Sequence, residues 1–267
     1  TAPCGATPGW DDDIPIRNPL VRKAMSVAVN RNEINDVFYQ GQSFPLVDYF
    51  PPWRDDFQDR WAPFPGPDGQ TGAAGGWPYA GDGDLPLARQ LLAEAGFPDG
   101  FTTTLNCLET HRVVPEWPDI CEALVGYWSD IGVTVNLEPT PDFGNFRTLT
   151  RTREHHNGNW IWSASPSLDP ICQAITFSMV WELGQAYREM PEASDLYFRC
   201  QEITNLAERN EEAIKFADAW LDNTRSIPLM WVFSEVAVNP DVVAEYEVNM
   251  LHMGPVRYHE RTKAVFK

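Results

Sequence analysis

The sequence has no uninterrupted apolar run of about 18 residues, the length a bilayer-crossing helix requires. Its opening, TAPCGATPGW, lacks the basic stretch and apolar core of a secretion signal, so export has to be argued from other features. Positive charge is scarce: 20 Lys and Arg stand against 38 Asp and Glu, a formal charge of −18. No basic stripe is available for a phosphate backbone to follow, and nucleic-acid binding is not expected. The acidic excess suits a cationic ligand or a solvated surface, and composition does not choose between them. The five cysteines (Cys4, Cys107, Cys121, Cys172, Cys200) form no CxxC pair and have no histidine at ligand spacing, so neither a zinc site nor a cofactor is expected. His155 and His156 are adjacent, which on extended backbone points them apart and reads as a polar turn. A GxSxG elbow, a phosphate-binding Walker loop and an HExxH helix are all missing. The glycine cluster at 72–76 follows no strand pattern and opens no helix, so it reads as a turn.

What is present is enough apolar material, 43% of residues with 12% aromatic, to build a substantial core. Helical spacing begins in NPLVRKAMSVAVNRNEINDVFYQG (18–41), where Asn30 and Glu33 resemble a capping box opening a second short helix and Gly41 suits its stop. Residues 44–84 are rich in Pro, Gly and Trp and predict a long ordered loop. Asp84 can then cap a helix over 85–96. Strand 101–108, helix 117–132, strand 133–139, helix 142–151 and strand 159–164 follow, a βαβαβ run that predicts a parallel sheet. Cys107, near the end of a strand, and Cys121, early in a helix, are candidates for a bridge in an oxidising compartment, although sequence separation does not establish Cα spacing. Helices are expected at 171–186 and 193–224, the second broken or bent near 208–210 with Leu196, Ile203, Leu206 and Ala207 on its buried face. A strand over 227–238 and a tail to 267 with little regular period complete the chain.

Five blocks, VRKAMSVAVNRNEINDVFYQGQ (21–42), DLPLARQLLAEAGFPDGF (84–101), YWSDIGVTVNLEP (127–139), NWIWSASPSLDP (159–170) and SIPLMW (226–231), resemble in order and spacing the C-terminal lobe of the peptide/nickel (family 5) extracellular solute-binding proteins. The resemblance implies an α/β class, the C-terminal lobe of a type II periplasmic-binding-protein fold with a parallel or mixed sheet flanked by helices. It implies no catalysis, a small-molecule solute held between two lobes, and an ABC permease as partner in the membrane. It also implies a periplasmic or extracellular location. By the same analogy an N-terminal lobe of the same protein, with the export signal, would lie outside this chain. Residues 1–17 would be a hinge or N-terminal extension, 18–228 the ligand-binding lobe, and 229–267 a return strand and tail completing the absent lobe.

Within that frame Trp160 and Trp162, on a strand beside SASPSLDP, are the first candidate ligand contacts, because open α/β sheets place ligands at the carboxyl ends of their strands. Alternate aromatics on a strand also suit a core. Ser163, Ser165 and Asp169 follow in the same loop. Peptide-binding relatives of this family carry an amine-pairing aspartate where Ser165 stands, while Asp169 fits a later acidic position, which leaves peptide and oligosaccharide both open. Phe143 stands where some relatives present a stacking aromatic, and Arg151, or Arg147, where some place a carboxylate-binding arginine. A surface position on an amphipathic helix accounts equally for either arginine. Phe50 and Trp53 in the long loop are further candidates, and loop aromatics of this kind either stack on a ligand or anchor the loop. Two other classes stand beside this one: a carbohydrate-active hydrolase using an Asp/Glu pair, and an interaction module without a small ligand.

Overall fold

Asn18 starts the first helix by accepting the backbone N–H of Leu20 at 2.9 Å, with Pro19 at the first helical position, where a missing N–H costs nothing. The computed structural model describes residues 14–45, 81–110, 114–152, 158–160, 191–222, 226–232, 239–247 and 263–266. Helix α1 (Pro19–Val27) buries Val21, Ala24, Met25 and Val27. Asn30 caps α2 (Arg31–Tyr39) by accepting from Glu33 N at 2.9 Å. The carboxylate of Glu33 accepts the Tyr127 hydroxyl at 2.9 Å. Gly41 does not stop α2 alone: Gln40 turns left-handed first, at φ 55°, and Gly41 follows at 73°. Strand β1 (Phe44–Pro45) comes next.

Asp84 caps α3 (Leu85–Glu94) through Leu87 N at 3.0 Å. The alternation that follows is β2 (Phe101–Leu108), α4 (Trp117–Ser129), β3 (Val133–Thr140), α5 (Phe143–Thr152) and β4 (Gly158–Trp160). Among the described residues these strands form one sheet in the order β3-β2-β4, and both pairings are parallel, as a βαβαβ run requires. β2 meets β3 from Phe101 opposite Val133 to Leu108 opposite Thr140. That register is set at its start, where Gly100 (φ 80°) lies against Gly132 (φ 86°). A Cβ on Gly100 would sit 1.9 Å from the carbonyl oxygen of Gly132, so only glycine allows the two strand entrances to lie side by side. Leu105 and Leu108 of β2, Ile120, Leu124 and Trp128 of α4, and Val21 and Met25 of α1 share one buried cluster. Cys107 of β2 and Cys121 of α4 are disulfide-bonded, with Cα atoms 6.4 Å apart, while Cys200 is buried and not disulfide-bonded.

Three expectations are corrected. The break expected near 208–210 in the long C-terminal helix is present but displaced, and it separates α6 (Pro191–Glu202) from α7 (Leu206–Asp222). The break falls at 203–205, ahead of 208–210, because the side-chain oxygen of Asn205 caps the new helix through Ala207 N at 3.0 Å and Glu208 N at 3.4 Å. The restart changes the register, so Leu206 (64% exposed) and Ala207 face solvent, while among the described side chains of the two helices Cys200 and Ala213 are buried. The return strand starts at Met230 rather than at 227, and β5 (Met230–Trp231) pairs antiparallel with β1. The tail has regular structure, since β6 (Val243–Glu247) pairs antiparallel with β7 (Lys263–Phe266), and a register shift between Val243 and Glu245 explains why no clean period was visible. The expected helix at 171–186, the interior of the long loop (46–80) and the strand ends 161–164 and 233–238 lie outside the described residues.

Two stability outcomes follow. Gly100→Ala adds both left-handed strain and a backbone collision, so chemical denaturation should show a loss of about 3 kcal/mol or more. Replacing Cys107 and Cys121 by serine opens a bridge spanning 14 residues, and the same measurement should register a loss of about 2 to 3 kcal/mol.

Candidate ligand-binding edge

The carboxyl ends of parallel strands leave their last carbonyls and the following loops on one edge of the sheet, and open α/β folds bind ligands there. In this chain that edge is tied together locally. Glu109 N donates to Thr140 O at 2.9 Å, extending the β2–β3 ladder past its last pair. The Thr110 hydroxyl donates to Pro141 O at 3.0 Å, so the loops leaving β2 and β3 are held to each other. Asp142 then caps α5: one carboxylate oxygen accepts Gly144 N at 2.7 Å and Asn145 N at 2.9 Å, and the other accepts the Asn145 side-chain amide at 2.7 Å. The Asn145 backbone N–H, joined by that of Gly144 and by the Asn145 side chain, holds the Asp142 carboxyl below the usual aspartate range.

This cap fixes the first turn of α5 and with it Phe143. Phe146, one turn on, is fully buried, and the two rings lie nearly parallel, 15° apart with centroids 6.4 Å apart. Phe143 remains 42% exposed at the strand-end edge. The fold therefore presents an aromatic face that is held before any ligand arrives.

Of the residues picked from the sequence, the structure brings Phe143 and the backbone of Trp160 to this edge. Trp160 is the last described residue of β4 and pairs with Asn106 of β2. Arg151 lies in the last turn of α5, at the opposite end of the helix from Phe143. Trp162, Ser163, Ser165, Asp169, Phe50 and Trp53 lie outside the described residues. Glu109, Thr110 and Asp142 were not picked. Their signal was the spacing of Asp142 ahead of Gly144 and Asn145, a helix N-cap that had been counted as the first helical residue. Among the described residues no group of three His, Cys, Asp or Glu is placed to hold a metal ion, and no helix is long and apolar enough to cross a membrane.

Residues 11–178, more than half of the chain, match the family described as bacterial extracellular solute-binding proteins, family 5 middle. The chain belongs to this family. It is 29% identical over 154 residues to heme-binding protein A of Haemophilus influenzae, an overlap of 56% of this chain and 24% of that protein. It is 35% identical over 97 residues to the glutathione-binding protein GsiB of Salmonella typhimurium, covering 36% of this chain and 15% of the relative. The solved structure of HbpA2 from Haemophilus parasuis superposes with a TM-score of 0.69 at 20% identity, over 93% of this chain and 45% of that one. The family 5 chain thus spans about a quarter or less of these curated relatives and under half of the solved one. Its fold is α/β, that of a type II periplasmic-binding-protein lobe with a parallel sheet, as the resemblance implied.

Because hydrogen bonds to its ionised form lower the folded-state pKa of Asp142, its cap is intact above the ordinary carboxylate range and is lost as pH falls through the lowered value. Carboxyl-carbon NMR should give a titration midpoint below that of an ordinary aspartate. A midpoint at or above it would mean that the cap is not formed.

Proposed function

We propose that this chain carries the ligand-binding lobe of the substrate-binding component of an ABC importer, acting without catalysis and without a cofactor. A small solute would be held between this lobe and an N-terminal lobe of the same protein. The closed form would be presented to the permease on the periplasmic or extracellular side of the membrane. Residues 18–228 would form the body of the lobe, 229–232 would lead out of it, and the rest of the chain to 267 would complete the other one.

The observation that carries this reading is the strand-end edge, where Phe143 stands half-exposed and fixed by the Asp142 cap just past the end of β3. Preformed aromatic faces with a few directed polar groups bind small solutes at low ordering cost, and they perform no bond chemistry by themselves. Phe143 and Trp160 would stack on the solute. Trp162, Ser163, Ser165 and Asp169 would line the same wall, with Arg151, Phe50 and Trp53 as outer contacts. A peptide-like solute is the favoured class: the relative at 35% identity is named for glutathione, itself a tripeptide.

Native mass spectrometry of the gently purified two-lobed protein should show a bound small molecule of peptide mass. Turnover of an added oligosaccharide would instead establish the hydrolase reading, and a stable protein partner with no small ligand would establish an interaction module. Once a solute is in hand, Phe143→Ala should weaken its binding about tenfold, read by calorimetry. Folding stability should fall by about 1 kcal/mol or less, because only the contact with Phe146 is lost.

A further inference from the structure

Arg31 is buried at the junction of α1 and α2, with 1% of its surface exposed. A buried guanidinium is tolerated only where its planar fork of donors is satisfied, so its partners reveal what it organises. Nε and Nη2 both donate to the carbonyl oxygen of Pro228, at 2.9 and 2.6 Å. Nη1 donates to Ser26 O at 2.9 Å, and Nη2 to the Ser26 hydroxyl oxygen at 2.9 Å. One rigid group therefore joins the last turn of α1 to a residue 197 positions away in sequence.

The segment it reaches runs into β5. Among the described residues the β1–β5 ladder matches Phe44 with Trp231 and Pro45 with Met230, and Pro45 has no N–H to give to it. Ile227, Leu229, Met230 and Val232 rest against the core but are only partly buried. We infer that Arg31 is the positioning residue that pins the return segment 226–232 to this lobe, so that the segment travels with the lobe as one body when the two halves of the protein close. Its use in closure rests on the two-lobed reading above, whereas the pinning itself does not.

Hydrogen exchange of the full chain, resolved by mass spectrometry, tests this with two variants. Arg31→Lys keeps the charge but offers a compact ammonium that cannot span Ser26 and Pro228 together. Amides in 226–232 should then exchange about tenfold faster or more, while those of β2 are unchanged. Ser26→Ala removes one acceptor and should give a smaller rise in the same segment. Equal acceleration in 226–232 and β2 would show that Arg31 serves only global stability and would overturn the inference, as would no acceleration. If the lysine variant does not fold, Ser26→Ala decides alone, and an unchanged 226–232 overturns the proposal. Failure of the protein to bind any solute would count against the transport reading and leave this exchange pattern untouched.

Discussion

The last turn of α1 ends in four carbonyls that have no partner further along their own helix, and the way they are satisfied organises the lobe. Ala24 O is closed locally by Ala28 N at 3.1 Å, and Ser26 O also accepts Val29 N at 3.3 Å. Beyond these local bonds, the last three carbonyls are reached by three different parts of the chain. Met25 O accepts the indole N–H of Trp128 on α4 at 2.9 Å. Ser26 O accepts from Arg31 on α2 at 2.9 Å, and Val27 O accepts the backbone N–H of Asp84, the N-cap of α3, at 2.9 Å. Leaving any of these buried acceptors unpaired would cost about 1 to 3 kcal/mol. The positions of α2, α3 and α4 relative to α1 are therefore not independent. The cationic fork of Arg31 also lies at the negative end of the α1 dipole, a favourable place for it.

From this node the order reaches the sheet through α4. Trp128 holds one end of the helix to α1, and Cys121 near its other end is bonded to Cys107 of β2. Tyr127 of α4 donates to Glu33 of α2, and burial together with that carboxylate pushes the phenol's pKa well above its ordinary value. Tyr39 at the end of α2 is raised in the same way by burial and by Glu116, just ahead of α4. Both phenols keep their protons at any physiological pH, so these links between α2 and α4 do not switch. The consequence for function is rigidity: β2, whose carboxyl end helps build the candidate edge, is set by the same contacts that place α1.

What the sequence disclosed was the part governed by local chemistry. Asn30 and Asp84 were capping residues by type and spacing, and the alternation from Phe101 to Trp160 carried the parallel sheet because strands separated by helices have few other ways to pack. The bridge between Cys107 and Cys121 could be suspected but needed Cα positions. Features set by contacts distant in sequence were not legible. Nothing near Arg31 announced that its partner would be Pro228, and Gly132 read as a helix end when its decisive neighbour is Gly100. The misplaced break before α7 had a different cause. Asn205 was available as a cap, yet a window of apolar residues carried across it suggested one continuous face. At the candidate edge it was the family resemblance that pointed to Phe143, while the Asp142 carboxylate that orients it was hidden inside the helix assignment.

That last omission bears on how such an edge can bind. A phenylalanine free to rotate on a loop would lose side-chain and backbone freedom when a solute stacked on it, and that loss would subtract from affinity. Here the first turn of α5 is already fixed by the Asp142 acceptors, and the Phe143 ring already lies against buried Phe146. The ordering has been completed during folding, at the expense of fold stability rather than of ligand affinity. A solute stacked there, as proposed, would gain the contact and the release of water from a half-exposed ring, with little left to immobilise. A lobe stiffened from α1 outward makes that gain transferable, since a fixed edge can be closed upon by a second body without first being rebuilt.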